Sequence, residues 1–384
     1  MEKITDSLFY AGVNDYDIDL FEGQYLVPNG MAYNSYVIKD EKTVVFDTVE
    51  KRFVDEWLSN LSDILGEKAP DYLIIQHMEP DHSANIVAFA EKYPDAKLVG
   101  NAKTFNFMTQ FFGKSYPERQ IVVKDGDELD IGSRSLKFIF APMVHWPEVM
   151  FTYDPKEKTL FSADAFGKFG AYDADEDWLD EARRYYIGIV GKYGAQVQSL
   201  LKKAASLDIE RICSLHGSVI DEMKDEVISK YMIWSSYEAE KNGVLIAYAS
   251  IYGNTKYAVE ILEEKLRSKG LDVKTADLSR TDMSKAVAEA FSYSKIVIAS
   301  PTYNNELFPP VRDFISELKE RNFQKKTIGI IENGTWGPQA AKKIKDAFEN
   351  SKEIVFAKNI VSIKSSVSEE NSEQIRMLAE EMSI

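Results

Sequence analysis

The sequence predicts two domains of different class: a strand-rich α+β half over residues 1–242, then a doubly wound α/β half with a parallel sheet over residues 243–384. Three observations carry this. At 384 residues the chain is longer than one hydrophobic core usually serves. Up to about Lys241, short strand-like runs are separated by loops and occasional helices. After "SYEAEKNG" the pattern changes to apolar strands alternating with amphipathic helices, the signature of βα units.

In the first half, "YNSYVIKD", "KTVVFDTV", "DYLIIQ", "SLKFIFAP" and "VMFTYD" are rich in β-branched and aromatic residues and read as strands. Helices are expected from Trp178 through "LDEARRYYIGIVGKYGAQV" and through "SLLKKAASL". In the second half, "VLIAYAS", "KIVIASP", "KTIGIIENG" and "IVSIKSS" are near-continuous apolar runs, as strands covered by helices on both faces require. "KYAVEILEEKLRSKG" is the first covering helix. No internal repeat, low-complexity tract or Pro-, Gly- or Ser-rich linker intervenes, so the halves are expected to be directly joined.

Composition excludes several function classes. Hydrophobic content of 45% and charged content of 28% are those of a soluble globular protein, and no apolar run approaches a membrane span. The start "MEKITDSLFYAG" lacks the basic and then apolar pattern of a secretory leader, so a cytoplasmic protein is expected. A net charge of −16 repels phosphate backbones and anionic lipid, which argues against nucleic acid or a membrane surface as partner. Cys213 is the only cysteine, which rules out an intrachain disulfide and a thiolate metal cluster. In "RICSLHGS" it reads as a small apolar residue closing a buried strand.

All four histidines, His77, His82, His145 and His216, follow apolar runs in polar or turn-like settings. "DYLIIQ" precedes His77, "LKFIFAPMV" precedes His145 and "RICSL" precedes His216. Asp164 follows "KTLFSA" in the same way. With Glu79 and Asp81 the set comprises four imidazoles and three carboxylates, enough for two metal ions if one carboxylate bridges. In "QHMEPDHSAN", His77, Glu79 and Asp81 alternate, so an extended segment would turn all three to one side. "EPDH" is expected to be a loop, because Pro80 disfavours helical backbone in the residue before it; His82 would turn toward a second ion.

In the second half, "VLIAYAS" runs through Ser250, Tyr252, Gly253, Asn254 and Thr255 directly into a helix. Unpaired N–H groups at such a helix start, with the Ser250 and Thr255 hydroxyls, can hold a monophosphate without a lysine or arginine clamp. Two later strands end in "SPTYNNELFPP" and "ENGTWGPQA". Ligands of open α/β sheets bind at that edge. Tyr303 and Trp336 are suited to flank a flat ring, with Pro301, Thr302, Asn304, Asn333, Gly334, Thr335 and Gly337 around them. The adenosine-binding G-x-G-x-x-G fingerprint is missing, against FAD or a nicotinamide cofactor.

The H-x-E-x-D-H stretch, with "HWPE" at His145, "FSADAFG" at Asp164 and "LHGS" at His216, resembles the metallo-β-lactamase-like half of a flavodiiron protein. The three loops of the second half resemble a flavodoxin-like domain that binds FMN. The likeness runs from "YAGVNDYDIDLFEG" and "GMAYNSYVI" to the last strand. It implies a metallo-β-lactamase-like αββα sandwich followed by a flavodoxin-like sheet. It also implies one iron on His77, Glu79 and His145, another on Asp81, His82 and His216, and Asp164 between them. His82 is the ligand on which similar proteins differ. Hydrolases of the fold carry H-x-H-x-D-H, and a carboxylate at Glu79 in place of imidazole suits iron cycling better than a hydrolytic zinc pair.

The resemblance further implies tyrosines near the metal pocket, for which Tyr25 and Tyr193 are the candidates. It implies reduction of O2 to water, of NO to N2O, or both, and a head-to-tail homodimer or dimer of dimers. A lone cysteine excludes an in-chain rubredoxin, so a separate rubredoxin-like electron donor is expected. Two rival readings are a metallo-hydrolase with a flavodoxin-like accessory domain, and an electron carrier whose metal half is structural. Glu79 and "HWPE" speak against the first. Against the second, seven protein ligands shared by two ions leave coordination positions open.

Overall fold

Strands as short as these become stable only when both faces of their sheet are covered, and the first unit of the chain achieves this by stacking two sheets. The computed structural model describes residues 2–384, which divide into two compact units, one ending at Met232 and the other running Ile233–Ile384. In the first unit a seven-stranded sheet orders its strands Glu2–Lys3, Leu8–Tyr10, Tyr36–Lys39, Thr43–Phe46, Tyr72–Ile74, Lys97–Gly100 and Gln120–Val122. A five-stranded sheet follows, in the order Glu128–Asp130, Ser135–Phe140, Met150–Asp154, Thr159–Phe161 and Arg211–Cys213.

The period of two along each strand sorts the core into layers. Tyr36, Ile38, Val44, Phe46, Ile74 and Val99 face the second sheet, where they meet Phe138, Met150, Phe161 and Cys213. Phe46 and Phe161 stack across the gap with ring centroids 3.9 Å apart. The alternate residues Val37, Val45, Leu73 and Leu98 face outward, onto Trp57 and Leu61 of the helix Val54–Leu65, Phe89, Phe105 and Met108. The outward residues of the second sheet, such as Phe151, Leu160 and Ile212, are equally buried. The arrangement is the αββα sandwich expected. Cys213 is fully buried at the end of its strand, and burial pushes its thiol well up.

The second unit is a parallel sheet ordered Val273–Asp277, Lys241–Tyr248, Tyr293–Tyr303, Lys326–Asn333 and Ile354–Phe356, with Val361–Ile363 also pairing in parallel on Lys326–Asn333. Numbered along the chain the order is 2-1-3-4-5, the flavodoxin-like winding. The helices Asn254–Ser268 and Glu369–Glu381 cover one face through Ala258, Leu262, Leu266, Ile375 and Leu378.

Candidate metal centre and flavin site

The strands of the αββα unit deliver the histidines and carboxylates to one place. His77 lies three residues beyond Tyr72–Ile74, Asp164 three beyond Thr159–Phe161, and His216 three beyond Arg211–Cys213. Parallel pairing of the last two strands, Phe161 opposite Cys213, holds Asp164 and His216 in register. The loop expected at "EPDH" is instead a one-turn helix, Pro80–Ser83, with Pro80 at its first position, where no N–H is needed. Glu79 keeps the extended backbone that a following proline demands (φ −61°, ψ 140°). The turn also ends the alternation: Glu79 joins His77, whereas Asp81 faces His82 and His216.

Two groups of ligand-type atoms result, each confined within 4.8 Å: His77, Glu79, His145 and Asp164 in one, Asp81, His82 and His216 in the other. The Nε2 atoms of His77 and His145 lie 3.2 and 3.1 Å from the same oxygen of Glu79. Asp164 turns Oδ2 to His145 at 3.0 Å and Oδ1 to His82 at 3.3 Å, so its two oxygens reach both groups. The Nε2 atoms of His82 and His216 face each other at 3.0 Å. The outer nitrogens are held from behind: His77 Nδ1 pairs with Glu148 Oε1 at 2.8 Å, and His216 Nδ1 with the carbonyl of Ala32 at 2.8 Å. Such contacts fix the tautomer that leaves Nε2 free for a metal.

Asp81 Oδ1 is buried with no partner, and Asp81 Oδ2 and Asp164 Oδ1 meet only the Nε2 atoms of His82 and His216, at 3.2 to 3.4 Å, too long and too few for a buried carboxylate. Leaving buried carboxylate oxygens unpaired is costly unless a cation meets them. Burial opposes protonation of the imidazoles, but the field of the carboxylates outweighs it and holds His145 up to about 9 and His82 up to about 10. Burial pushes the Asp47 carboxyl up to about 6; it accepts the Gln76 and His77 N–H groups and anchors the entry to the motif. Converging nitrogens, orphaned anionic oxygens and backed imidazoles fit a pair of metal ions.

The sequence-derived tyrosines stand as follows. Tyr25 is buried, and its hydroxyl donates to the Gly188 carbonyl at 3.1 Å. Tyr193 is half-buried at the end of the 3-10 turn Gly191–Tyr193. Two tyrosine rings pack on the cluster: Tyr33, 6.0 Å from the His216 ring and 6.5 Å from the His82 ring, and Tyr185, 5.4 Å from the His216 ring, fully buried, with its hydroxyl unpaired. Burial, then Asp164, Asp81 and Glu79, push its phenol well up. Tyr185 closes the helix Trp178–Tyr185 where it widens into a π-helical turn, Tyr186–Val190, a distortion common at functional sites. In sequence "RRYYIGIV" shows only apolar periodicity, so Tyr185 carried no signal there. Phe21 also packs on His216, at 5.3 Å, and the ring of Trp146 meets His77 at 5.2 Å.

In the second unit a cavity of about 560 Å³ opens at the carboxyl ends of the strands. It is lined by Ser250, Tyr252, Asn254 and Thr255 from the first loop, Pro301 to Asn304 from the second, and Asn333 to Gly337 from the third. Gly253 has φ of +93° and starts the helix Asn254–Ser268, where a side chain would be strained. Ser250 Oγ accepts from the Gly253 and Lys256 N–H groups at 3.1 and 3.3 Å. Asn304 and Asn305, both at positive φ, form the two-residue turn of a hairpin that projects Tyr303. Tyr252 and Trp336 are more than 90% exposed, an unusual state for large aromatics that a flat ligand would relieve. A fourth loop contributes Ser365, at φ +78°, which hydrogen-bonds Thr335 and Asn333. The sequence reading places Ser365 inside the strand-like run "IVSIKSS", whereas the strand ends at Ile363. A size of 560 Å³, a helix start and flanking aromatics fit FMN.

Comparison with known proteins agrees with this geometry. The family described as ODP family beta lactamase matches residues 31–217, and the flavodoxin domain family matches residues 245–360. The nitric oxide reductase of Moorella thermoacetica is 30% identical over 360 residues, covering 91% of this chain and 90% of the relative. The rubredoxin-oxygen oxidoreductase of Megalodesulfovibrio gigas is 30% identical over 354 residues, covering 88% and 87%. The crystal structure of the flavodiiron protein from Giardia intestinalis superposes with a TM-score of 0.92 at 27% identity, covering 100% of this chain and 95% of that one.

Proposed function

The chain belongs to the flavodiiron proteins, and from that premise we propose that it reduces O2 to water, NO to N2O, or both, with electrons passed through FMN from a rubredoxin-like donor. The single observation that carries this is the double cluster, in which Asp164 reaches both groups and Asp81 Oδ1 is buried without a partner. When bound, FMN supplies two electrons and the two irons one each, four for one O2 and more than the two that couple a pair of NO molecules.

The residues divide the remaining work. His77, Glu79 and His145 would hold one iron and Asp81, His82 and His216 the other, with Asp164 within reach of both groups, the grouping that their distances favour. Two ions held in one cluster would supply adjacent binding positions, the chemistry that either N–N coupling or O–O cleavage needs. Phe21, Trp146 and Tyr185 wall the imidazoles with aromatic surface and limit water. Glu79 separates this reading from a hydrolase, since it supplies an anionic oxygen where hydrolases of the fold carry imidazole. In the second half, Ser250 to Thr255 would hold the FMN phosphate, and Tyr303 and Trp336 would flank the ring.

We assign the unit ending at Met232 to the diiron half and the unit Ile233–Ile384, which holds the strand Lys241–Tyr248, to the FMN half. A head-to-tail homodimer would bring the FMN of one chain to the diiron centre of the other. A single buried cysteine suits a reducing cytoplasm, and no helix among the described residues is long and apolar enough to cross a membrane. The test is turnover with reduced rubredoxin on O2 and on NO, with product analysis. Water or N2O supports the proposal; peroxide alone, or thioester and lactam hydrolysis by a zinc-loaded protein, overturns it.

A further inference from the structure

The four imidazoles differ in what stands behind them. His77 is backed by a full negative charge: Glu148 Oε1 meets Nδ1 at 2.8 Å and also accepts the Met78 N–H at 2.9 Å. Glu148 is 1% exposed, its Oε2 has no hydrogen-bond partner, and among the described residues no lysine or arginine pairs with it. The helix cap Asn101 fixes it further by donating to the Glu148 carbonyl. His216, by contrast, is backed by the neutral carbonyl of Ala32, and His82 Nδ1 is buried with no partner. Asp164 is shared, and Glu79 and Asp81 balance each other. Asp47 is also buried and lies in the field of His82, but its oxygens accept from Gln76 and the His77 backbone and touch no ligating ring; the side of His77, Glu79 and His145 therefore has the one buried carboxylate bonded to a ligating imidazole, which the other side lacks.

We infer that Glu148 makes the two metal positions electronically unequal, so that the ion beside His77 is the first of the pair to be oxidised. This rests on the diiron reading above. A carboxylate behind a ligating imidazole raises its basicity, and an uncompensated buried charge favours the higher-valent ion across the ring. In the first step one electron leaves the ferrous ion at His77, Glu79 and His145, which becomes ferric. A mediator dye or the oxidised flavin accepts the electron, and no bond between protein atoms changes. The ion at Asp81, His82 and His216 stays ferrous until the second step. Glu148 touches neither substrate nor flavin; it is a positioning residue that acts through His77.

The test is a mediated redox titration of the iron- and FMN-loaded protein, followed by EPR and by Mössbauer spectra of 57Fe. Wild type is expected to oxidise in two one-electron steps through a valence-localised half-oxidised state. Glu148→Gln should disfavour the first step at least tenfold, which for a one-electron couple is a rise of ~59 mV, and narrow the gap between the steps. Glu148→Asp, which keeps the charge, should restore most of that gap. Selective loss of one iron per chain in Glu148→Gln, with the potential of the remaining ion unmoved, also supports the inequality. A single two-electron step or a delocalised half-oxidised state in wild type overturns the inference, as does a Glu148→Gln protein with two irons and both steps unmoved. Iron and FMN content measured beforehand separate the two claims: a wild type that binds two irons but shows no inequality sinks this inference alone, and one that binds no iron sinks the diiron reading with it.

Discussion

Stripping the metals should expose the charge logic of the cluster as a pH-dependent stability. Burial by itself would push His145 below its ordinary value, but hydrogen bonds to Asp164 and Glu79 outweigh that and hold it up to about 9. A histidine in the unfolded chain titrates near ~6.5. Because the folded value is the higher one, the stabilisation is fully present below about pH 6.5 and is lost as the pH rises through about 9. At 1.36 kcal/mol per pH unit the difference is roughly 3 kcal/mol, of which part is shared with His77 and His82 through Asp164. The assay is urea unfolding of chelator-treated protein at pH 6 to 10, read by hydrogen exchange of the strand Tyr72–Ile74, for wild type and His145→Gln. Subtracting the variant cancels other titrating groups, such as the buried Lys326 of the second unit, whose ammonium burial pushes down to about 8. Wild type should lose on the order of 2–3 kcal/mol more than the variant between pH 6.5 and 9.5. Iron-loaded wild type should show no such slope, because metal ions replace the protons. Equal slopes for wild type and variant would refute the reasoning.

Glu79→His should lower iron content while leaving FMN binding intact; full iron and normal reduction of O2 and NO would show that the carboxylate is dispensable. Ser250→Ala removes the acceptor for two loop N–H groups and should weaken FMN binding about tenfold in a fluorescence titration, without changing iron content. Tyr185→Phe deletes a buried, unpaired hydroxyl, so the metal-free protein should gain about 1 kcal/mol in urea unfolding; a loss would mean that the hydroxyl has a partner. Gly188→Ala would bring a methyl group to 3.0–3.1 Å from the Tyr25 ring and should cost roughly 1–3 kcal/mol, seen as a lower melting temperature.

Features written in short-range chemistry were legible in the sequence. The runs "KTVVFDTV" and "VLIAYAS" became strands because their apolar patterns admit only a half-buried or a doubly covered sheet. The histidines and carboxylates were visible because each follows such a run, and strand ends collect distant residues. The turn at "EPDH" was misread because proline both forbids helix in the residue before it and starts a helix well itself; a single turn satisfies both tendencies. Tyr185, the role of Glu148 within "HWPE", and Ser365 stayed hidden for a different reason. Tyr185 owes its place to packing of Phe169 and His216 around a helix that widens to a π-turn. Glu148 owes its role to a contact 71 positions away, and Ser365 to pairing with Asn333, 32 positions away. Tertiary contacts of that range leave no local pattern.

The measurement that bears most directly on the central claim is a single turnover. Protein loaded with FMN and two irons per chain is reduced fully without air, then mixed with known amounts of O2 while flavin and iron oxidation are followed and peroxide is assayed. The account predicts that each chain consumes one O2, oxidises its flavin and both irons together, and releases no peroxide. Consumption of one O2 per two flavin electrons, with peroxide formed and the irons still ferrous, would contradict it.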